Sequence, residues 1–231
     1  MPHADNPEST FRSITDRIAA AAAQAAHPVT LLAVSKGKPA SEIRELVDLG
    51  QTAFGENYVQ EALAKQQELA NTDIEWHMIG PLQSNKCRDV SEHFDWLQTL
   101  DRERLIEPLA RWRPPTRAPL NVLIQVNIDD EESKSGCSVD AIAGLAECVV
   151  VQPMLHLRGL MAIPAPTADM RTRAAAFSRM RTAFEQLRKD LPGIDTLSMG
   201  MSDDFELSIA EGATLVRIGT ALFGARAAKS D

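Results

Sequence analysis

The sequence predicts a single (β/α)8 (TIM) barrel with an extra N-terminal helix, and three observations lead there. Apolar runs of strand length alternate with helical stretches along the chain, in the order β then α. About eight such strands can be counted, the number that closes this kind of barrel. None is broken by proline or dominated by polar residues, as the edges of an open sheet usually are, so a doubly wound sheet is the second choice. A length of 231 residues fits one barrel.

Each element has a local reason. An N-terminal helix is expected from roughly Pro7 to Ala26, after a loose tail at residues 1–6. "VTLLAVSKG" is the first strand; it turns through Gly37 and Pro39 into "ASEIRELVDLG", where Ile43, Leu46 and Val47 share one face and Gly50 is the stop. "TAFGEN" precedes the helix "YVQEALAKQQELA", and "IEWHMIG" precedes a short helix around Ser84 to Val90. "FDWLQTLD" leads into "RERLIEPLARW", and "LNVLIQVNI" into a charged loop and the helix "VDAIAGLAECVVV". "HLRGLMAIP" leads into "ADMRTRAAAFSRMRTAFEQLRKDL", whose apolar spacing is that of a barrel-facing stripe. "DTLSMGMS" leads into "DDFELSIAEG", and "ATLVRIGTALFG" closes the set before a second loose tail at 226–231. The surface turn "RPPTRAP" is the only Pro-rich stretch, and no repeat or low-complexity segment marks a boundary, so residues 1–231 read as one domain.

Composition narrows the function. A hydrophobic fraction of 44% with 24% charged residues is that of an ordinary soluble protein, and no apolar stretch reaches bilayer-spanning length. The start is polar and then amphipathic, unlike a secretory signal, which makes the cytoplasm the expected location. A net charge of −8 opposes nucleic acid and anionic membranes as partners, yet leaves room for a local pocket that takes one small anion. Cys87, Cys137 and Cys148 form no C-x-x-C pair and read as reduced, mostly buried thiols, with no metal site expected.

In a barrel the chemistry collects where strands end. If Leu32, Val34 and Lys36 alternate inward, the first strand carries an amine to the upper barrel layer, where desolvation favours the neutral, nucleophilic form that imine chemistry needs. Small residues cluster after the last two strands, in "SMGMSDD" and "RIGTALFG", where barrels commonly hold a phosphate. Arg217 would point into the barrel and need an acceptor, either the ring nitrogen of a pyridine or an inward carboxylate such as Glu56. His77 has no i, i+4 partner and reads as a hydrogen-bonded core histidine. A phosphosugar aldolase using Lys36 is one reading of these features, and it predicts a colourless protein.

The stretches "AVSKGKP", "FGENYVQEA", "EWHMIGPLQSNK", "QVNIDDEESKSG", "RGLMAIP" and "LSMGMSDDFELSIAEGATLVRIGTALFG" resemble, in order and spacing, the pyridoxal phosphate homeostasis proteins (YggS/PROSC type). The likeness runs over nearly the whole chain. It implies a barrel similar to the N-terminal domain of alanine racemase, with pyridoxal 5'-phosphate (PLP) bound as an aldimine to Lys36. It further implies phosphate contacts from Ser198, Met199, Ser202, Gly219 and Thr220, with Arg217 near the pyridine nitrogen and Asn57 lining the pocket. Lys134 matches a lysine that assists PLP transfer, and Gly37 stands where the family usually has threonine.

An arginine at the pyridine nitrogen discourages protonation and makes the ring a weaker electron sink, which favours racemase-like chemistry or none. Racemisation needs a second base opposite the lysine, a tyrosine by analogy with alanine racemase, and Tyr58 is the only tyrosine here. The expected function is therefore PLP holding and delivery without turnover, with apo PLP-dependent enzymes as candidate recipients and a monomer as the expected state. The alternative is a PLP-dependent amino-acid racemase that draws its second base from Cys137, Lys134 or another subunit.

Overall fold

A computed structural model describes residues 6–129 and 135–224. Eight parallel strands form a closed barrel in chain order: β1 (Thr30–Val34), β2 (Ala53–Glu56), β3 (Glu75–Met78), β4 (Trp96–Leu100), β5 (Leu120–Val126), β6 (Leu155–Ala162), β7 (Thr196–Ser198) and β8 (Leu215–Ile218). The β1–β8 pair, in register from Thr30 opposite Leu215 to Ala33 opposite Ile218, closes the ring and sets aside the open-sheet alternative.

The helices are α1 (Pro7–Ala25), α2 (Ala40–Asp48), α3 (Val59–Glu68), α4 (Cys87–His93), α5 (Ile106–Trp112), α6 (Ile142–Val150), α7 (Met170–Asp190), α8 (Phe205–Ala210) and α9 (Thr220–Phe223). Asn6 caps α1 by accepting from the Glu8 amide, with Pro7 in the first turn; the rest of the 1–6 tail and all of 226–231 lie outside the described residues. The helices expected near Ser84 and Val139 begin instead as 3-10 turns, Ser84–Lys86 and Val139–Ala141. Neither α4 nor α6 has a side-chain cap, and tighter turns pair some of the otherwise unmatched amides. In α7 the buried residues Ala176, Phe177, Met180, Phe184 and Leu187 form the expected stripe. No helix of the described residues is long and apolar enough to cross a membrane.

Strand alternation divides the core. Outward residues such as Ala33, Phe54, Leu97, Leu160, Leu197, Val216 and Ile218 join the large apolar shell beneath the helices. The interior holds two small apolar clusters, Leu32 with Ala53 and Leu215, and Trp96 with Leu123 and Met161. Buried polar residues complete it, namely His77, Gln98, Ser198 and Arg217.

Candidate functional site at the barrel mouth

Closure of β1 on β8 builds the mouth. Leu32 pairs with Arg217 and faces inward, as the alternation of Leu32, Val34 and Lys36 requires. Two positions further on, Gly219 lies against Val34, where an added Cβ would come within 3.3 Å of both the Val34 Cβ and its carbonyl oxygen. Lys36, partly buried just beyond Val34, therefore stands at the same rim as Gly219 and Thr220, although 183 residues separate it from Gly219 in sequence (219 minus 36).

The turn that carries Lys36 is pinned on both sides. The buried Lys65 ammonium of α3 donates to the Ser35 carbonyl at 2.8 Å, to Glu56 Oε1 at 2.7 Å and to Glu61 Oε1 at 2.6 Å. The Ser35 hydroxyl donates to Glu56 Oε1 at 2.6 Å, and the Gly37 amide donates to Glu61 Oε1 at 2.5 Å. Both neighbours of Lys36 are thus held by one charged cluster. Gly37 sits at φ +72°, in the left-handed region that glycine enters without a Cβ penalty. Lys38 completes the turn by donating to the Phe223 carbonyl at the end of α9, at 2.6 Å. Burial pushes the Glu56 carboxyl above its ordinary value, against the bonds from Lys65 and Ser35 that lower it.

Arg217 is buried. Its Nη1 donates to Ser198 Oγ at 2.7 Å and its Nη2 to the Ala162 carbonyl at 2.8 Å. Burial pulls its pKa down to about 10, with Asp204 acting the other way. The carboxylate partner considered for it, Glu56, is engaged by Lys65 on the helix side of β2.

The expected phosphate contacts divide. Ser198 is fully buried, its hydroxyl bonded to Arg217 and Gln98, while the Met199 amide donates to the Leu215 carbonyl and its side chain joins the outer core. Inward and outward alternation turns these two side chains to opposite faces at the end of β7, where both support the strand end. Ser202, Gly219 and Thr220 do come together: Ser202 is half-buried, its hydroxyl accepts from the Ala221 amide at 3.3 Å, and Thr220 is exposed. Gly200, at φ +89° and where a Cβ would collide with Ser208 Oγ, allows the turn from β7 towards Ser202.

Asn57 follows β2 at the same rim, and its carbonyl is approached so closely by Gly80 that a Cβ would lie 2.1 Å away. His77 is a fully buried core histidine bonded to Glu75 and Gln98. Cys137 is buried and its thiol is pushed up to about 11 by burial, which makes it a poor base near neutral pH. Tyr58 is 68% exposed. Lys134 lies outside the described residues, and no group of metal-binding side chains occurs among those described.

Sequence reasoning missed the Lys65 cluster, although Val59, Ala62 and Lys65 share the buried face of α3 at helical spacing. It also missed Gln98, a polar residue at an inward position of β4.

The family model of the alanine racemase N-terminal domain matches residues 11–227. A pyridoxal phosphate homeostasis protein of Pasteurella multocida is 54% identical over 226 residues, covering 95% of this chain and 97% of that one. One from Escherichia coli strain K12 is 54% identical over 219 residues, covering 92% and 94%. Among solved structures, PipY of Synechococcus elongatus with PLP bound aligns with a TM-score of 0.83 and 37% identity, over 95% of this chain and 100% of that one.

Proposed function

This chain belongs to the pyridoxal phosphate homeostasis proteins, and on that premise we propose that it binds PLP at the barrel mouth through Lys36 and serves PLP homeostasis and delivery rather than catalytic turnover. The observation that carries the reading is the β1–β8 closure, which joins an amine, a guanidinium and a glycine-lined hydroxyl cluster at one rim. The donor set fits the cofactor. Lys36 suits the aldehyde, Arg217 the ring nitrogen, and Ser202, Thr220 and the backbone around Gly200 and Gly219 the phosphate; Asn57 lines the pocket beside them. Ser198 and Met199 contribute by holding Arg217 and the strand end. When bound, PLP supplies an electrophilic carbonyl and a conjugated ring. An arginine opposite the ring nitrogen leaves that ring a weak electron sink, which suits storage.

Racemase chemistry would need a second base, and Cys137 is a poor candidate with its thiol at about 11. The relatives compared above carry a homeostasis name. Apo PLP-dependent enzymes of the cytoplasm are the proposed recipients, and a monomer the proposed state. Lys134 remains the proposed helper in transfer.

Purified protein loaded with PLP is expected to be yellow, and borohydride reduction followed by peptide mapping is expected to place the cofactor on Lys36. A colourless protein, or a label elsewhere, would overturn the binding site. Incubation with L- and D-alanine is expected to leave their chirality unchanged over many protein equivalents, and sustained interconversion would overturn the carrier reading. Ser202→Ala combined with Thr220→Val is expected to raise the Kd for PLP by about tenfold or more, tenfold being roughly the equivalent of one hydrogen bond to a charged group, while labelling of Lys36 at saturating PLP persists. An unchanged Kd would remove these residues from the phosphate site.

A further inference from the structure

The barrel interior holds a chain of polar side chains that runs from Arg217 away from the mouth. Arg217 Nη1 donates to Ser198 Oγ at 2.7 Å, and Ser198 Oγ donates to Gln98 Oε1 at 2.7 Å. Gln98 Nε2 lies 2.9 Å from His77 Nδ1, and His77 Nε2 lies 2.9 Å from Glu75 Oε1. The chain crosses from β8 through β7 and β4 to β3, from near the mouth to the floor, where the strands begin.

Its polarity follows from the chemistry of the end groups. Guanidinium only donates, so Ser198 accepts from Arg217 and passes its own proton to the Gln98 oxygen. Gln98 then turns its amide N–H towards His77, which must present a lone pair at Nδ1 and carry its proton at Nε2, facing the Glu75 carboxylate. Reversing Gln98 would set a lone pair at Nε2 against that carboxylate unless the ring became imidazolium. Burial opposes that charge, and it lowers the His77 pKa despite Glu75 and Asp95.

Glu75 is 46% exposed and lines an open cavity of about 700 Å³ at the floor, so its charge is solvated. The Trp96 ring stacks on His77 at 5.1 Å with 9° between planes, and the Arg158 guanidinium lies 4.8 Å from the Trp96 ring centre, which holds the imidazole in plane. Arg158 is itself paired with Asp195. Arg217 meets only neutral acceptors in its own hydrogen bonds. Asp204, the carboxylate whose charge acts on it, is bonded to Arg173 and to the Met201 amide.

We propose that Glu75, His77 and Gln98 are positioning residues for Arg217, a one-way hydrogen-bond relay that anchors the guanidinium to a carboxylate at the opposite end of the barrel and so fixes it against the cofactor's ring nitrogen. The relay's role towards the ring rests on the PLP reading; its polarity belongs to the protein alone. Linked donors of one direction polarise each other, so a change at the floor is felt at the mouth without any contact with the cofactor.

Two measurements test this. In the apoprotein, 15N NMR of the histidine ring nitrogens, with His77 assigned by its Asn variant, is expected to find the neutral Nε2–H form. The Nδ1–H form or an imidazolium would overturn the relay. In protein loaded with PLP labelled with 15N at the ring nitrogen, Glu75→Gln and the volume-matched Gln98→Met are each expected to shift that resonance and to raise the Kd for PLP about fivefold, the effect of one net hydrogen bond. A resonance that stays at its wild-type position in the folded variants would overturn the positioning role. Should Gln98→Met fail to fold, Glu75→Gln, at a half-exposed position, carries the test alone. A wild-type protein that binds no PLP would overturn both the functional reading and the role towards the ring, while the tautomer would still decide the polarity of the relay.

Discussion

Lys36→Ala is expected to abolish covalent fixation of PLP completely while leaving the barrel folded. Lys36 lies beyond the last residue of β1 and is only partly buried, so truncation should change stability by about 1 kcal/mol or less, a shift of a few degrees in the thermal midpoint. The proposed phosphate contacts would remain, so PLP should still bind reversibly and wash out on desalting. Borohydride treatment followed by peptide mapping reads the first effect and a thermal melt the second. Label found on another lysine of the variant would mean that the mouth amine is not the attachment point.

Lys65→Met is expected to cost about 3–5 kcal/mol, since it leaves Glu56 as an unpaired carboxylate in a fully buried position. For a chain of this length that is a fall of about 10 °C in thermal midpoint. The loss should also depend on pH with a definite sign. Burial already holds the Glu56 pKa above 4.5, and without Lys65 it rises further. A carboxyl with a raised folded pKa binds its proton more tightly when folded, so the deficit is smallest below the unfolded value and grows as pH climbs through the folded one. Melts at pH 5 and pH 8 should therefore show the variant closer to wild type at the lower pH. Replacing Glu56 as well, in Lys65→Met with Glu56→Met, should recover most of the stability, because an apolar pair suits a buried site as well as an ion pair does. PLP retention should not recover with it, since Ser35 has lost its ammonium partner and Gly37 shares Glu61 with no clamp. Equal recovery of both properties would mean that the cluster serves the core and has no bearing on Lys36.

The parts of the site that were legible in sequence are those with a local signature. Lys36 follows an apolar strand, the glycines punctuate two strand ends, and Arg217 falls on an inward position of a strand that is otherwise apolar. His77 was legible as a core histidine for the same reason. "SMGMS" looks uniform along the chain, whereas the pleat turns the Ser198 side chain into the barrel and the Met199 side chain out of it. Lys65 has no local signature of burial, because an i, i+4 pair with Glu61 is also what exposed helices carry; only the packing of α3 on β2 turns it towards Glu56.

By itself the sequence determined the alternation of strands and helices, their number, and the chemical types waiting at the strand ends, because hydrophobic period and turn residues act over a few positions. Tertiary structure alone decided which of those groups meet. The pairing of β1 with β8 brings Lys36 to Gly219, and the crossing of the interior from β8 to β3 joins Arg217 to Glu75. Such partners lie far apart in sequence, and no local preference encodes the distance between them; it is fixed by the curvature and stagger that a closed sheet must adopt.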